Sequence, residues 1–197
     1  MAILKVAQMG HPVLRLVATA VPVEIIKTPL FQQFCDDLLE TMIEYDGAGL
    51  AAPQVHESVR VVVLEYNSER GPEFLINPVI EVLTEEHSSM MEGCLSISGL
   101  RARVWRPDHI RVTFLDRQGE EHIYELQGFS AVVTQHECDH LDGVLFVDRC
   151  DTKTLAFLPE YRRYGALDQD DFGDEDIPDY EDLDDDDVED SELEEAS

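Results

Sequence analysis

The sequence predicts an α+β fold in which mainly antiparallel sheets pack around a central helix. Two observations predict it. Helical patterns occupy residues 29–45, 129–141 and 152–164, and between the first and second of these lie short β-branched runs separated by turn signals, with no helix interleaved. With 197 residues, 44% of them hydrophobic, the chain can bury a full core without disulfide staples, and a single folded domain is expected over Met1–Leu167.

The elements follow in order. Thr28 can cap the first helix, Pro29 suits its first position, and Leu30, Phe31, Phe34, Leu38, Leu39, Met42 and Ile43 form its apolar stripe. A glycine-rich loop, residues 47–54, comes next. Strands are expected at 59–64, 74–76, 79–83 and from 89–91 into the Glu92-Gly93-Cys94-Leu95-Ser96 segment. Runs 110–115 and 122–126 flank Asp116-Arg117-Gln118-Gly119 and read as a hairpin. The second helix, residues 129–141, is followed by Gly143, which can supply a left-handed stop. A third helix over 152–164 closes the body.

Charge is unevenly distributed. The chain carries 43 acidic and 14 basic residues, a formal net of −29, and residues Asp168–Ser197 hold 18 of the acidic residues and no Lys or Arg. The body is left at −11 and the tail is a polyanion, expected to be disordered because like charges repel and little apolar surface is available. Such a surface opposes phosphate backbones, so direct nucleic-acid binding is not expected. The first residues lack the basic and unbroken apolar regions of a signal peptide, and no stretch approaches 18 apolar residues, so a cytoplasmic protein without membrane association is expected. Cys35, Cys94, Cys138 and Cys150 then read as reduced thiols.

The sharpest chemical signal is Gln135-His136-Glu137-Cys138-Asp139-His140 on the second helix. His136 and His140, at i and i+4, share one helix face, where both imidazoles can hold one ion, and Glu137 can reach a water bound there. A catalytic site needs a third ligand. A metzincin would place histidine where Phe146 stands; a thermolysin-like enzyme would use a downstream glutamate, and Glu160 lacks the expected surroundings. Cys94 fits better, and a Cys-His-His set suits iron(II), zinc, nickel or cobalt. Val132 and Val133 precede His136 by four and three residues, so an apolar wall beside the ion is expected there; for Phe129, core packing is an equal reading. The glycine-rich loop has no P-loop lysine and no dinucleotide-binding pattern, which argues against nucleotide binding.

Three segments taken together, Gly47-Ala48-Gly49-Leu50-Ala51-Ala52-Pro53-Gln54, Glu92-Gly93-Cys94-Leu95-Ser96 and Gln135-His136-Glu137-Cys138-Asp139-His140, resemble the three signature motifs of peptide deformylases, in the family's order. The opening Gly10-His11-Pro12-Val13-Leu14-Arg15 and the run Leu141-Asp142-Gly143-Val144-Leu145-Phe146 are similar too, so the resemblance covers about residues 1–148. It implies hydrolysis of the formyl group from N-terminal formylmethionine, with iron(II) as the family's expected ion. It implies Cys94, His136 and His140 as ligands and Glu137 as general base and then acid. It implies Gln54 and the Leu95 N–H as oxyanion donors, and Gly49 as the residue the substrate backbone passes. Glu92 and Arg101 match supporting positions and are expected to form a charge pair. Nascent chains near the ribosome are the implied partners, and a monomer is expected. The sequence departs from the family pattern at Ser98, where proline is frequent, and in its acidic tail, where some members end in a basic helix.

Overall fold

The computed structural model describes residues 2–65 and 71–165; the expected disordered tail lies outside them. Thr28 caps helix α2 (Pro29–Glu44) through its Oγ1, which accepts from the Phe31 N–H, and Pro29 starts the helix; a single turn, α1 (Val23–Ile26), precedes it. Seven strands follow: β1 (Gly49–Ala51), β2 (Val61–Leu64), β3 (Glu73–Val82), β4 (His87–Cys94), β5 (Ile97–Pro107), β6 (His109–Leu115) and β7 (Glu121–Gln127). Helix α3 (Gly128–Leu141) comes next, then the two-residue β8 (Ala156–Phe157) and α4 (Leu158–Tyr164).

A five-stranded sheet in the order β1-β2-β3-β6-β7 is antiparallel throughout. Both of its faces are covered, which explains the unbroken apolar run of β2. Val61 and Val63 pack with Phe31, Leu38 and Met42 of α2, while Val62 and Leu64 pack with Ala131 and Leu141 of α3. A smaller sheet, β4-β5-β8, packs Cys94, Ile97, Ala102 and Val104 against Leu14, Leu145 and Phe146. Each fully buried Leu, Val or Phe contributes roughly 1.5–3 kcal/mol, so the α2 stripe alone secures that helix to the sheet.

Four sequence expectations change. Residues 74–76 and 79–83 form one strand, β3, because the Asn77-Pro78 break becomes an irregularity between Ile76 and Val79. Asn77 adopts φ 53°, and its side-chain amide makes two bonds to the Val21 backbone, of 2.8 and 2.9 Å, which hold the N-terminal segment. Residues 49–51 of the expected loop are a strand, β1, paired with β2. Strand β5 was not expected, since three arginines interrupt its apolar pattern. The third helix is shorter than expected: Thr152–Thr154 make a 3-10 turn, β8 pairs with β5, and the helix begins only at Leu158. Pro159 is tolerated in the first turn, where its missing N–H has no intrahelical partner to lose, but not deeper inside a helix, so the helix starts just before it. Gly143 takes φ 72° just beyond α3, as expected; a Cβ there would come within 2.8 Å of the Arg15 backbone.

Candidate active site

Helix α3 runs between the two sheets, and every residue from Thr134 to Leu141 is buried. Burying Gln135, His136, Glu137, Asp139 and His140 on one helix is costly unless each finds a partner, so the site can be read as an account of those partners. Cys94 is the last residue of β4. It pairs across to Ile97, leaving Leu95-Ser96 as a two-residue turn. The Cys94 thiol and the His136 and His140 imidazoles bring their ligand atoms within 4.8 Å of one another, with Cys94 Sγ 3.3 Å from His140 Nε2. This is the one such triad among the described residues, and exposed Glu160 has no part in it.

The His136 ring is held from behind. Its Nδ1 lies 2.8 Å from Glu92 Oε2, an arrangement that leaves Nε2 free to face the cluster. Arg106 grips Glu92 with two bonds, Nε to Oε1 at 2.6 Å and Nη2 to Oε2 at 2.9 Å, and donates a third from Nη1 to Asp139 Oδ2 at 2.8 Å. Burial would raise the Glu92 carboxyl, but the hydrogen bonds and charges of Arg106 and His136 outweigh it and hold it at about 2. The expected Glu92–Arg101 pair is therefore corrected: the partner is Arg106. The strand register explains it. Glu92 pairs with Ala102, so Ala102, Val104 and Arg106 share its face of the sheet and Arg101 points the other way. Arg101 instead lies against Gly93, where any Cβ would come within 2.1 Å of its guanidinium. Sequence reasoning missed Arg106; the alternation of Ala102, Val104 and Arg106 was the available signal.

Glu137 sits fully buried, and its Oε2 is an orphan polar atom. Burial pushes its carboxyl up to about 7, with Glu92 adding to the shift and His136 and Arg106 opposing it. Gly49 permits this placement, because a Cβ there would come within 2.7–2.9 Å of the Glu137 side chain. The Gln54 amide is locked: Oε1 accepts from the Ala51 N–H at 2.8 Å, so Nε2 points at Cys94 Sγ, 3.4 Å away, and donates to Ser96 Oγ at 3.2 Å. The N-terminal segment braces both loops. Ala7 N–H donates to Gln54 O, Met9 N–H to Ser96 O, and the Gln8 side chain to Leu95 O. Val132 is buried one turn before His136, Val133 packs onto the sheet cluster with Ile80 and Tyr124, and Phe129 is half exposed. Burial first, then the charges of His136 and Arg106, keep His140 well below its usual value and so neutral; burial likewise pushes the Cys35 thiol up to about 12, which marks it as packing.

The donor set fits a divalent cation. A soft thiolate and two imidazoles converge in a buried spot, and the Glu137 carboxyl on the same helix has an oxygen with no protein partner, as a group meant for a water or substrate would. Comparison with known proteins decides what kind of site it is. The family model described as polypeptide deformylase matches residues 3–155. The chain belongs to the peptide deformylase family.

Peptide deformylases of known sequence align along nearly their whole length. That of Leptospira biflexa is 40% identical over 177 residues, 85% of this chain and 99% of its own. That of Saccharophagus degradans is 45% identical over 149 residues, 75% and 85%. Solved structures agree in fold. The actinonin-bound class I type b peptide deformylase from Acinetobacter baumannii superposes with a TM-score of 0.72 at 37% identity, covering 77% of this chain and 100% of that one. The peptide deformylase from Thermotoga maritima gives 0.72 at 38%, covering 77% and 99%. This deformylase is accordingly a metal-dependent hydrolase that removes the N-formyl group from newly made peptides, and the Cys94-His136-His140 cluster suits its divalent ion.

Proposed function

We propose that Cys94, His136 and His140 bind iron(II), that Glu137 moves the proton, and that Gln54 and the Leu95 N–H stabilise the oxyanion during deformylation of N-terminal formylmethionine. A divalent cation held by those ligands supplies a nucleophilic hydroxide near neutral pH. The buried Glu137 carboxylate, with one oxygen unpartnered, takes a proton during attack on the formyl carbon and delivers it to the departing amine, releasing formate and a free N-terminus. The fixed Gln54 amide aims its N–H at the growing negative charge; one such donor contributes about 3–4 kcal/mol. Gly49, on β1 and packed against the Glu137 side chain, is the residue the substrate backbone passes.

Val132, and beside it Val133, form the proposed wall for the methionine side chain; Val133 also serves the sheet core, so the specificity role rests mainly on Val132. The acidic balance supports a reading in which the enzyme meets nascent chains near the ribosome in the cytoplasm, as a monomer, without gripping nucleic acid. Residues 168–197 are read as a solubilising extension of the 1–167 catalytic domain.

The observation that carries the reading is the orphan Glu137 oxygen beside three converging ligands. The test is formate release from a formyl-Met tripeptide by anaerobically purified, iron(II)-loaded protein. Glu137→Ala is expected to lower kcat by about 10²–10⁴-fold while metal content stays at the wild-type level. Parallel loss of metal and activity would assign Glu137 to metal retention instead.

A further inference from the structure

We propose that Arg149 is a positioning residue for the metal site, acting through Asp139, Arg106 and Glu92 on the ring of His136. The proposal rests on His136 being a metal ligand. Five side chains stand in series from surface to site. Arg149, its side chain 47% exposed, donates from Nε to Asp139 Oδ2 and from Nη2 to Asp139 Oδ1, both at 2.7 Å. Asp139 meets Arg106, Arg106 meets Glu92, and Glu92 meets His136 Nδ1, with every link at 2.9 Å or less.

The charges decide why the outermost member matters. Arg106 is shared by two carboxylates, Glu92 and Asp139, so the buried part of the chain carries one surplus negative charge. Arg149 neutralises that surplus through two bonds to Asp139, one to each carboxylate oxygen. Without Arg149, Asp139 competes for Arg106 at short range and low dielectric, where like and unlike charges both count heavily. The two-point grip of Arg106 on Glu92 then loosens, and with it the bond that orients His136 and directs its Nε2 lone pair to the ion. Outer partners of ligating histidines typically affect metal affinity by about 10–100-fold, and Arg149 acts from four links away, so about tenfold is expected. Arg149 also borders a cleft of about 630 Å³ with Trp105, Val79 and Asp142, so trimming it exposes Asp139 to solvent and leaves no sealed void.

The test uses the full chain and Co²⁺ as probe. Arg149→Met is expected to raise the Co²⁺ Kd about tenfold in competition with a chelating dye, and to shift the Co²⁺ absorption bands. The kcat of Co²⁺-loaded protein should fall with KM for the formyl-Met peptide unchanged. Arg149→Lys, which keeps the charge but gives up the fork, should fall between. Adding Asp139→Asn to Arg149→Met should restore most of the lost affinity, because the neutral amide no longer competes for Arg106. Unchanged Co²⁺ affinity and spectrum in Arg149→Met, even with a lowered Tm, would overturn the proposal, as would a double variant no better than the single one. Failure of the wild-type protein to take up one Co²⁺ would instead refute the ligand assignment itself.

Discussion

Helices α2 and α3 are similar in length, 16 and 14 residues, and press on opposite faces of one sheet, yet different forces hold them. Helix α2 buries Phe31, Cys35, Leu38 and Met42, with Thr41 the one polar side chain buried among them. Its attachment is apolar burial, which has no direction and tolerates exchange at constant volume. Helix α3 buries ten residues, six of them polar or charged. Gln135, His136 and Asp139 hold it by directional bonds to fixed partners, where a change of charge at constant size is not conservative. The fold is thus supported on one face by packing and built around its chemistry on the other.

The largest expected break in that comparison comes from Glu92→Gln. It keeps the size and the bond to His136 but removes the charge facing Arg106, and the destabilisation expected is about 3–5 kcal/mol by urea unfolding. A loss under 1 kcal/mol would mean that Asp139 alone can satisfy Arg106. Chelation is next. Metal at 100 times its Kd stabilises by about 2.7 kcal/mol, so its removal should lower Tm and speed hydrogen exchange in the second half of α3, with α2 amides unaffected at first. Equal acceleration in both helices would show that the two faces open together. The same-size swap on α2, Leu38→Met, should cost less than about 1.5 kcal/mol and leave kcat unchanged.

The smallest effect lies outside both helices. In the β6–β7 turn, burial would raise the Asp116 carboxyl, but the backbone N–H of Glu120, the His122 side chain and the N–H of Gln118 together lower it. A carboxyl depressed in the folded state stabilises above its unfolded pKa, near 3.8, and that support is lost as pH falls through the lower folded value. Asp116→Asn should therefore reduce stability slightly at pH 7 and not at pH 2. An equal cost at both values would show that the turn depends on shape alone.

Much of this was legible from local pattern. The α2 stripe, the Thr28 cap and the Gly143 stop depend on neighbours within a few residues; the structure keeps the cap, the stop and the stripe from Phe31 to Met42, while Leu30 and Ile43 at its ends are exposed. The pairing of His136 with His140 follows from helical periodicity alone, and their convergence with Cys94 in the structure matches the reading of linked motifs. What local pattern misread has a common cause. Asn77-Pro78 looked like a strand break because its anchor, Val21, lies 56 residues away. Strand β5 was not expected because Arg106 occupies a core-facing position, which is favourable only where Glu92 and Asp139, from another strand and a helix, meet it. Arg101 looked like the partner of Glu92 until the β4–β5 register put it on the opposite face. The sequence by itself determined the family and its reaction, because three linked motifs in a set order carry them. Which arginine supports Glu92 and His136 was decided only by the tertiary structure, because a buried charge is stable only where distant segments bring its counter-charge within hydrogen-bond reach.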